Sequence, residues 1–188
     1  DNDMSVRISD RFKSKLIVFS EDSNNEILIR AIKNGGYGIY VDEGSLYIEK
    51  ENMIIPLMAV EEIGIAMKGA LKYNIQNAMA ACGALIGFGI DPAIIKSGLE
   101  TFKCSEELNP GRFNFFDVGG VLTILDYGHN IDGYKSVLEG LANMPHKRLI
   151  GVIGVPGDRL DRTTLEVGRI SGSYFDKIFI KEDKDRRG

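Results

Sequence analysis

The apolar positions of this chain change their period along its length. Up to about residue 60 they come in short runs. "KLIVFS", residues 15–20, has the length and content of a strand. "YGIYV" and "SLYIEK" flank Asp42-Glu43-Gly44, a hairpin signal with a glycine available for positive φ. "NMIIPL" predicts a further strand, placed at a sheet edge because Pro56 has no N–H to give to a ladder. Between the first strand and the hairpin, "NEILIRAIKNGG" predicts a short helix stopped at Gly35-Gly36.

A helical period then takes over. Ile75, Ala78, Met79, Cys82, Leu85 and Ile86 recur at helical spacing in "NIQNAMAACGALIGFG", with Asn74 placed to cap the helix. In "DPAIIKSGLETF", Asp91 as N-cap and Pro92 at the first helical position start a second helix. Ile94, Ile95, Leu99 and Phe102 are expected to form its inner face. "KCSEELNPG" is polar, contains Pro-Gly and reads as a linker, so the chain is expected to divide into residues 1–108 and 109–188. After the linker, "GRFNFFDV", Gly119-Gly120 and "VLTILDY" predict a second hairpin. A helix from Gly133 to about Ala142, the strand "RLIGVIGV", the helix "TTLEVGRISGSYF" and the strand "KIFIKED" then alternate. That is the βαβ pattern of a parallel, doubly wound sheet, and the expected fold class is α/β.

Composition narrows the function. Of 188 residues, 44% are hydrophobic, enough for a core. The formal net charge is −4 and the pI about 5.3, without the basic face of a nucleic-acid binder. No stretch reaches the roughly 20 apolar residues of a membrane span. The start, "DNDMSVRISD", has neither a positive n-region nor an apolar h-region and is not expected to be a signal peptide. Cys82 lies on an apolar helix face as a small core residue. It and Cys104 have no ligand-like neighbours, and two free thiols fit a reducing cytoplasm.

The candidate chemistry gathers in the second half. An apolar run, Val121 to Leu125, expected to be a buried strand, ends in Asp126, followed by Tyr127, Gly128, His129 and Asn130. Ligands of open α/β sheets sit beyond the carboxyl ends of the strands. If the three strands ending in "DYGHN", "PGDRLD" and "KEDKDRRG" run parallel, their loops emerge on one edge. Asp126, His129, Asn130, Asp158, Arg159, Asp161, Asp183 and Arg186 then share one face. A carboxylate at a strand end can accept both ribose hydroxyls. The following helix start offers free N–H groups to an anion, and Arg112 can make charge-assisted bonds to phosphate. Each residue also has a plainer use: a lone Asp as turn former or cap, a lone His as a solvated side chain, the charged run as a solvated surface. In "GVIGVPG", which lacks G-x-G-x-x-G spacing, the first glycines read as close packing in a strand and Gly157 as a turn.

The series "KYNIQNAMAACGALIGFGI", "NPGRFNFF", "LDYGHN", "VPGDR" and "FDKIFIKEDKDRRG" resembles the Mur ligase superfamily, and most of all its cyanophycin synthetase branch. The resemblance is strongest from Leu71 onward. It implies that residues 1–108 are the back part of a central ATP-binding domain and that 109–188 are a Rossmann-like C-terminal domain. It implies ATP-dependent amide bond formation: a carboxylate is activated as an acyl phosphate and attacked by an amine. In that branch the amine is arginine and the acceptor a poly-aspartate backbone. Asn77 then matches an adenine-contacting Asn, Arg112 an Arg reaching the nucleotide, and Asp126 the ribose-binding Asp. His129 and Asn130 match positions near the phosphates. Gly157, Asp158 and Arg159 match a "GDR" loop. Asp183 and Arg186 fall near the place that recognises the incoming amino acid, where Glu182, Asp183 and Asp185 suit a guanidinium.

Two positions depart from the family pattern: Tyr73 stands where it has His, and Ile131 where it has Pro. No G-x-x-x-x-G-K-[ST] phosphate loop occurs in these residues, and the family's magnesium ligands are expected upstream of them. The implied cofactors are ATP and magnesium, and the implied partners an amino acid and a polypeptide acceptor. No catalytic residue is assigned, and the chain alone is expected to be inactive. A homo-oligomer is compatible with the sequence. Two alternatives stand beside this reading. One is another amino-acid ligase of peptidoglycan or folylpolyglutamate type, although relatives binding diaminopimelate carry "DNPR" near the present "KEDKDRRG". The other is a non-catalytic nucleotide-binding or assembly module.

Overall fold

The computed structural model describes residues 7–12, 14–128, 130–155 and 160–182. It divides into two units, Asp1–Asn109 and Pro110–Gly188.

The first unit is a four-stranded sheet with helices on both faces. Strands β1 (Ile17–Ser20), β2 (Tyr37–Asp42), β3 (Ser45–Lys50) and β4 (Met53–Ala59) lie side by side in chain order. β1 and β2 are parallel, joined through helix α1 (Glu26–Lys33), and the other pairs are antiparallel. Asn25 caps α1, its Oδ1 accepting from the N–H groups of Ile27 and Leu28. The predicted hairpin turns at Glu43 and Gly44, both with positive φ. β4 is the edge that Pro56 requires, and the ladder slips between Leu46 and Tyr47, close to where Pro56 pairs.

Strand alternation sorts the two faces. Leu28 and Ile32 of α1 pack on Tyr40, Val18 and Tyr47. The opposite face, with Ile39, Leu46 and Ile48, forms the main core with helices α2 (Lys72–Gly87) and α3 (Pro92–Thr101). Met79 and Cys82 of α2 and Ile95 of α3 are buried there. Two short 3-10 turns, Val60–Glu62 and Gly64–Ala66, lead from β4 to α2.

Three expectations change here. Asn74 does not cap α2: the helix begins at Lys72 after Leu71, and Asn74 is a buried residue of its first turn. Its Nδ2 instead donates to the Ile65 carbonyl at 2.8 Å. Ile94 and Phe102 are exposed, so the inner face of α3 is Ile95 and Leu99. Leu85 is likewise on the outside of α2, because the stripe facing the core is narrower than the apolar stripe in the sequence. Asp91 and Pro92 start α3 as expected, the Asp91 carboxylate accepting from the Ala93 N–H at 2.8 Å.

The second unit is α/β as well. Strands β5 (Asn114–Val118) and β6 (Val121–Leu125) form the predicted antiparallel hairpin, turning at Gly119 and Gly120 with positive φ. Helix α4 (Ile131–Ala142) follows. Strands β7 (Ile150–Ile153) and β8 (Lys177–Ile180) pair in parallel through helix α5 (Asp161–Tyr174), the βαβ unit of a Rossmann-like, doubly wound domain. α4 and α5 pack together through Val137, Leu138, Leu141, Val167 and Ile170. Gly151 and Gly154 are close-packing glycines, as read: a Cβ would meet the Phe175 ring and the Lys181 carbonyl, respectively. Gly157 lies outside the described residues.

β6 differs from its expected role. Among the described residues it pairs with β5 and has no ladder to β7, so the parallel pair is β7 and β8. Nor is it buried: Val121, Leu122 and Leu125 are 64%, 60% and 55% exposed. A tight Gly-Gly turn commits a strand to the one before it, and an apolar run does not say which face is covered. Among the described residues no helix is long and apolar enough to cross a membrane.

Two predictions follow from the packing of the first unit. The Leu16 carbonyl accepts from the Tyr37 N–H at 3.0 Å, which brings Gly36 so close that a Cβ would overlap the Leu16 oxygen. Gly36→Ala should lower stability by about 2 kcal/mol or more in urea denaturation. Gly98, in α3 with open space around it, should gain about 0.5–1 kcal/mol as Gly98→Ala in the same measurement. A further prediction concerns alkali. Burial pushes the Cys82 thiol up from 9.0 to about 12. Burial, helped by the hydrogen bond to Glu49, pushes the Tyr40 phenol up from 10.0 to about 12. The unfolded chain therefore releases these protons first, and stability should fall as pH rises above about 9. Urea midpoints between about pH 8 and 11 should show this decline, and Cys82→Ala with Tyr40→Phe should flatten it.

Candidate functional site

Two of the polar residues singled out in the second unit, Arg112 and Asp126, lie where β5 begins and β6 ends. The hairpin ladder runs out at the pair Asn114 and Leu125. Beyond it the strands stay joined by other means. The Tyr127 N–H donates to the Gly111 carbonyl at 2.9 Å. The Asp126 carboxylate closes the remaining gap. Its Oδ2 accepts from the Phe113 N–H at 3.0 Å and its Oδ1 from the Gly128 N–H at 2.8 Å. One side chain thus pins the loop before β5 to the loop after β6.

Each loop is shaped to meet that carboxylate. Phe113 has φ +54°, a left-handed backbone that a bulky residue rarely adopts, and its ring is fully buried. Asn114 folds the preceding turn: its Oδ1 accepts from the Gly111 N–H at 2.6 Å and its Nδ2 donates to the Arg112 carbonyl at 3.3 Å. Gly128 also has positive φ, and a Cβ there would press on the Tyr134 ring. Burial pushes the Tyr134 phenol up, and its hydrogen bond with Ser171 draws it partly back. Asn114 is not among the sequence candidates, and Tyr127 figures there only as a neighbour of Asp126. An Asn set between Phe113 and Phe115 was the available signal for the first.

The Arg112 guanidinium lies over the Tyr127 ring, 5.4 Å from its centroid. Both side chains are exposed, and the stacked guanidinium keeps its planar N–H fork in a fixed attitude. Asn130 is the N-cap of α4, its Oδ1 accepting from the Gly133 N–H at 2.7 Å. Asp126, Arg112 and the start of α4 therefore meet in one short stretch of the second unit. Asp161 is the first residue of α5. His129, Asp158, Arg159, Asp183 and Arg186 lie outside the described residues. Asn77 belongs to the first unit, exposed on α2, with its Nδ2 donating to the Asn74 Oδ1 at 3.3 Å. Among the described residues no group of three or more His, Cys, Asp or Glu is placed to hold a metal ion.

Residues 111–188, starting at the glycine of this loop, match the family described as Mur ligase, glutamate ligase domain. This part of the chain belongs to the Mur ligases. Over all 188 residues the chain is 34% identical to a cyanophycin synthetase of Synechocystis sp., of which it spans 21%. It is 36% identical over 123 residues to a UDP-N-acetylmuramoyl-L-alanyl-D-glutamate–2,6-diaminopimelate ligase of Syntrophomonas wolfei, covering 65% of this chain and 24% of that protein. The structure of MurF from Acinetobacter baumannii shares the fold, with TM-score 0.55 at 20% identity, covering 92% of this chain and 40% of that one. The resemblance drawn from the motifs holds: residues 111–188 match the Mur ligase domain and the full chain is similar to cyanophycin synthetases. It spans about a fifth of the length of its cyanophycin synthetase relatives.

In the Mur ligase unit the Asp126 carboxylate is both fastener and candidate ligand group. A carboxylate has roughly four acceptor positions, and two backbone N–H groups use two of them. The donor set therefore fits the sugar and phosphates of a nucleotide: a half-buried carboxylate with acceptor capacity left, a guanidinium, and a capped helix start. Removing the carboxylate leaves two backbone donors without their acceptor. Asp126→Ala should destabilise this unit by about 1–3 kcal/mol in urea denaturation, whether or not nucleotide is present.

Proposed function

We propose that the chain is the nucleotide-holding part of an ATP-dependent amide ligase that joins an amino acid to a polypeptide acceptor, with arginine and poly-aspartate as the pair. Similarity to cyanophycin synthetase across every residue of the chain carries this reading. In it Asn77 contacts adenine, Asp126 accepts the ribose hydroxyls, and Arg112 reaches the phosphates. Asn130 and the N–H groups at the start of α4 add to the anion-binding surface. Asp158, Arg159, Asp183 and Arg186 serve the amino-acid side, the carboxylates near Asp183 holding a guanidinium in fork geometry.

ATP, when bound with magnesium, supplies the phosphoryl group that activates the acceptor carboxylate. The residues of this chain bind and orient. Without a G-x-x-x-x-G-K-[ST] loop nothing in these residues clamps the β- and γ-phosphates, so the chain alone binds nucleotide and does not ligate.

The test is amino-acid-dependent phosphate release from ATP by the natural full-length protein, given an aspartate-rich acceptor. Arginine should support release, and lysine, glutamate and diaminopimelate should not. Arg112→Ala, which leaves the Asp126 clamp in place, should cut kcat/KM by about tenfold to a hundredfold, as loss of a charged phosphate contact does. Release with diaminopimelate or glutamate instead would move the assignment to another Mur-type ligase. No release with any of them would leave a binding module.

A further inference from the structure

Between helices α4 and α5 runs a hydrogen-bond chain with a direction. Ser171 of α5 is fully buried, and its hydroxyl donates to the Val167 carbonyl at 2.6 Å. A hydroxyl has one hydrogen, so the Ser171 oxygen can meet Tyr134 only as an acceptor. The Tyr134 hydroxyl, 2.7 Å away, is therefore the donor. Stability alone does not ask for this pair. The helices around it meet through Val137, Leu138, Leu141, Val167 and Ile170. In such surroundings, replacing both partners of a hydrogen bond by apolar groups of the same shape can be nearly neutral. What the bond adds is direction: it fixes where the Tyr134 ring stands.

The ring stands on Gly128. A Cβ built at Gly128 would come within 3.2 Å of it, so glycine is what lets the ring approach the loop this closely. Gly128 in turn gives its N–H to the Asp126 Oδ1 at 2.8 Å. The path from α5 to the carboxylate thus runs from Ser171 to Tyr134, from Tyr134 to Gly128 and from Gly128 to Asp126. The terminal torsion of an Asp side chain is broad, so the hydrogen bonds on its oxygens decide how the carboxylate is turned. Without the Ser171 acceptor the ring is free to leave the glycine, and the loop that carries the Gly128 N–H loosens. The acceptor positions of Asp126 not used by the backbone then no longer point one way. We infer that Tyr134 and Ser171 are positioning residues, which act through Gly128 to hold the Asp126 carboxylate in the orientation that accepts the ribose hydroxyls of the nucleotide.

The inference rests on the reading of Asp126 as the ribose contact, and the experiment separates the two. The KM values of ATP and 2′,3′-dideoxyATP, which lacks both ribose hydroxyls, are measured on the natural full-length protein. The readout is phosphate release driven by whichever amino acid supports it. In the wild type the dideoxynucleotide should have a KM about tenfold or more above that of ATP, the worth of hydrogen bonds to a charged group. Tyr134→Phe, Ser171→Ala and the double variant should each raise the KM for ATP by about threefold to tenfold, the net worth of one hydrogen bond, and leave that of the dideoxynucleotide unchanged. The double variant should be no worse than either single one, because each breaks the same chain. It also leaves no unpaired hydroxyl, so it decides the matter should Ser171→Ala alone fail to fold. A purely structural pair would shift both nucleotides alike or neither, and that result overturns the inference. A wild type that does not distinguish the two nucleotides, or releases phosphate with no amino acid, overturns the ribose reading of Asp126 and the inference with it.

Discussion

The second unit depends on one carboxylate that stands in for a missing stretch of β-ladder. Past Leu125 the hairpin strands diverge, and the backbone donors of Phe113 and Gly128 fall to the two oxygens of Asp126. Bonds from backbone N–H to an ionised carboxylate are about twice as strong as neutral ones. That strength has work to do, because Phe113 sits in a backbone region that costs of order 1–3 kcal/mol for a non-glycine residue. Complete burial of its ring offsets that cost. The strained backbone, the buried ring and the carboxylate form one device. It holds the Arg112 loop against the loop that starts α4.

The first unit solves a similar problem with a neutral group. The carbonyl of Ile65, in the second 3-10 turn, is reached by Asn74 from inside α2. An Asn in the first turn of a helix is ordinarily a capping signal. Here the helix begins two residues earlier and the amide faces inward. Burial of a polar side chain is tolerable only when it is bonded at both ends, and the second end is taken by Asn77.

What was legible in the sequence had short-range causes. The Glu43-Gly44 and Gly119-Gly120 turns, the Asp91-Pro92 helix start, the edge strand containing Pro56 and the buried Cys82 all follow from residue-level physics. What was not legible depends on what lies across a face. Ile94, Leu85 and Phe102 look no different in the sequence from Ile95 and Leu99, yet they are exposed. The same holds for β6, whose apolar run signals a strand without saying that its partner is β5 alone among the described strands. The candidate site was legible as residue types, an Asp at a strand end and an Arg after Pro-Gly. The clamp that joins them was not, since it needs the Phe113 backbone, which no pattern announces.

The side chains that the proposed function draws on also hold the fold. Asp126 fastens two loops, Asn130 caps α4, and the Asn77 amide is bonded to Asn74. Preorganisation of this kind lowers the cost of binding, because the groups that meet the ligand are ordered without it. It also blurs the effect of simple deletions, in which lost binding and lost folding arrive together. Arg112 differs from the other three. Its stacking on Tyr127 orients it at the surface, while the loop beneath is held by Asn114 and Asp126 through backbone groups. Its guanidinium is therefore the group whose removal reports most directly on ligand binding and least on the fold.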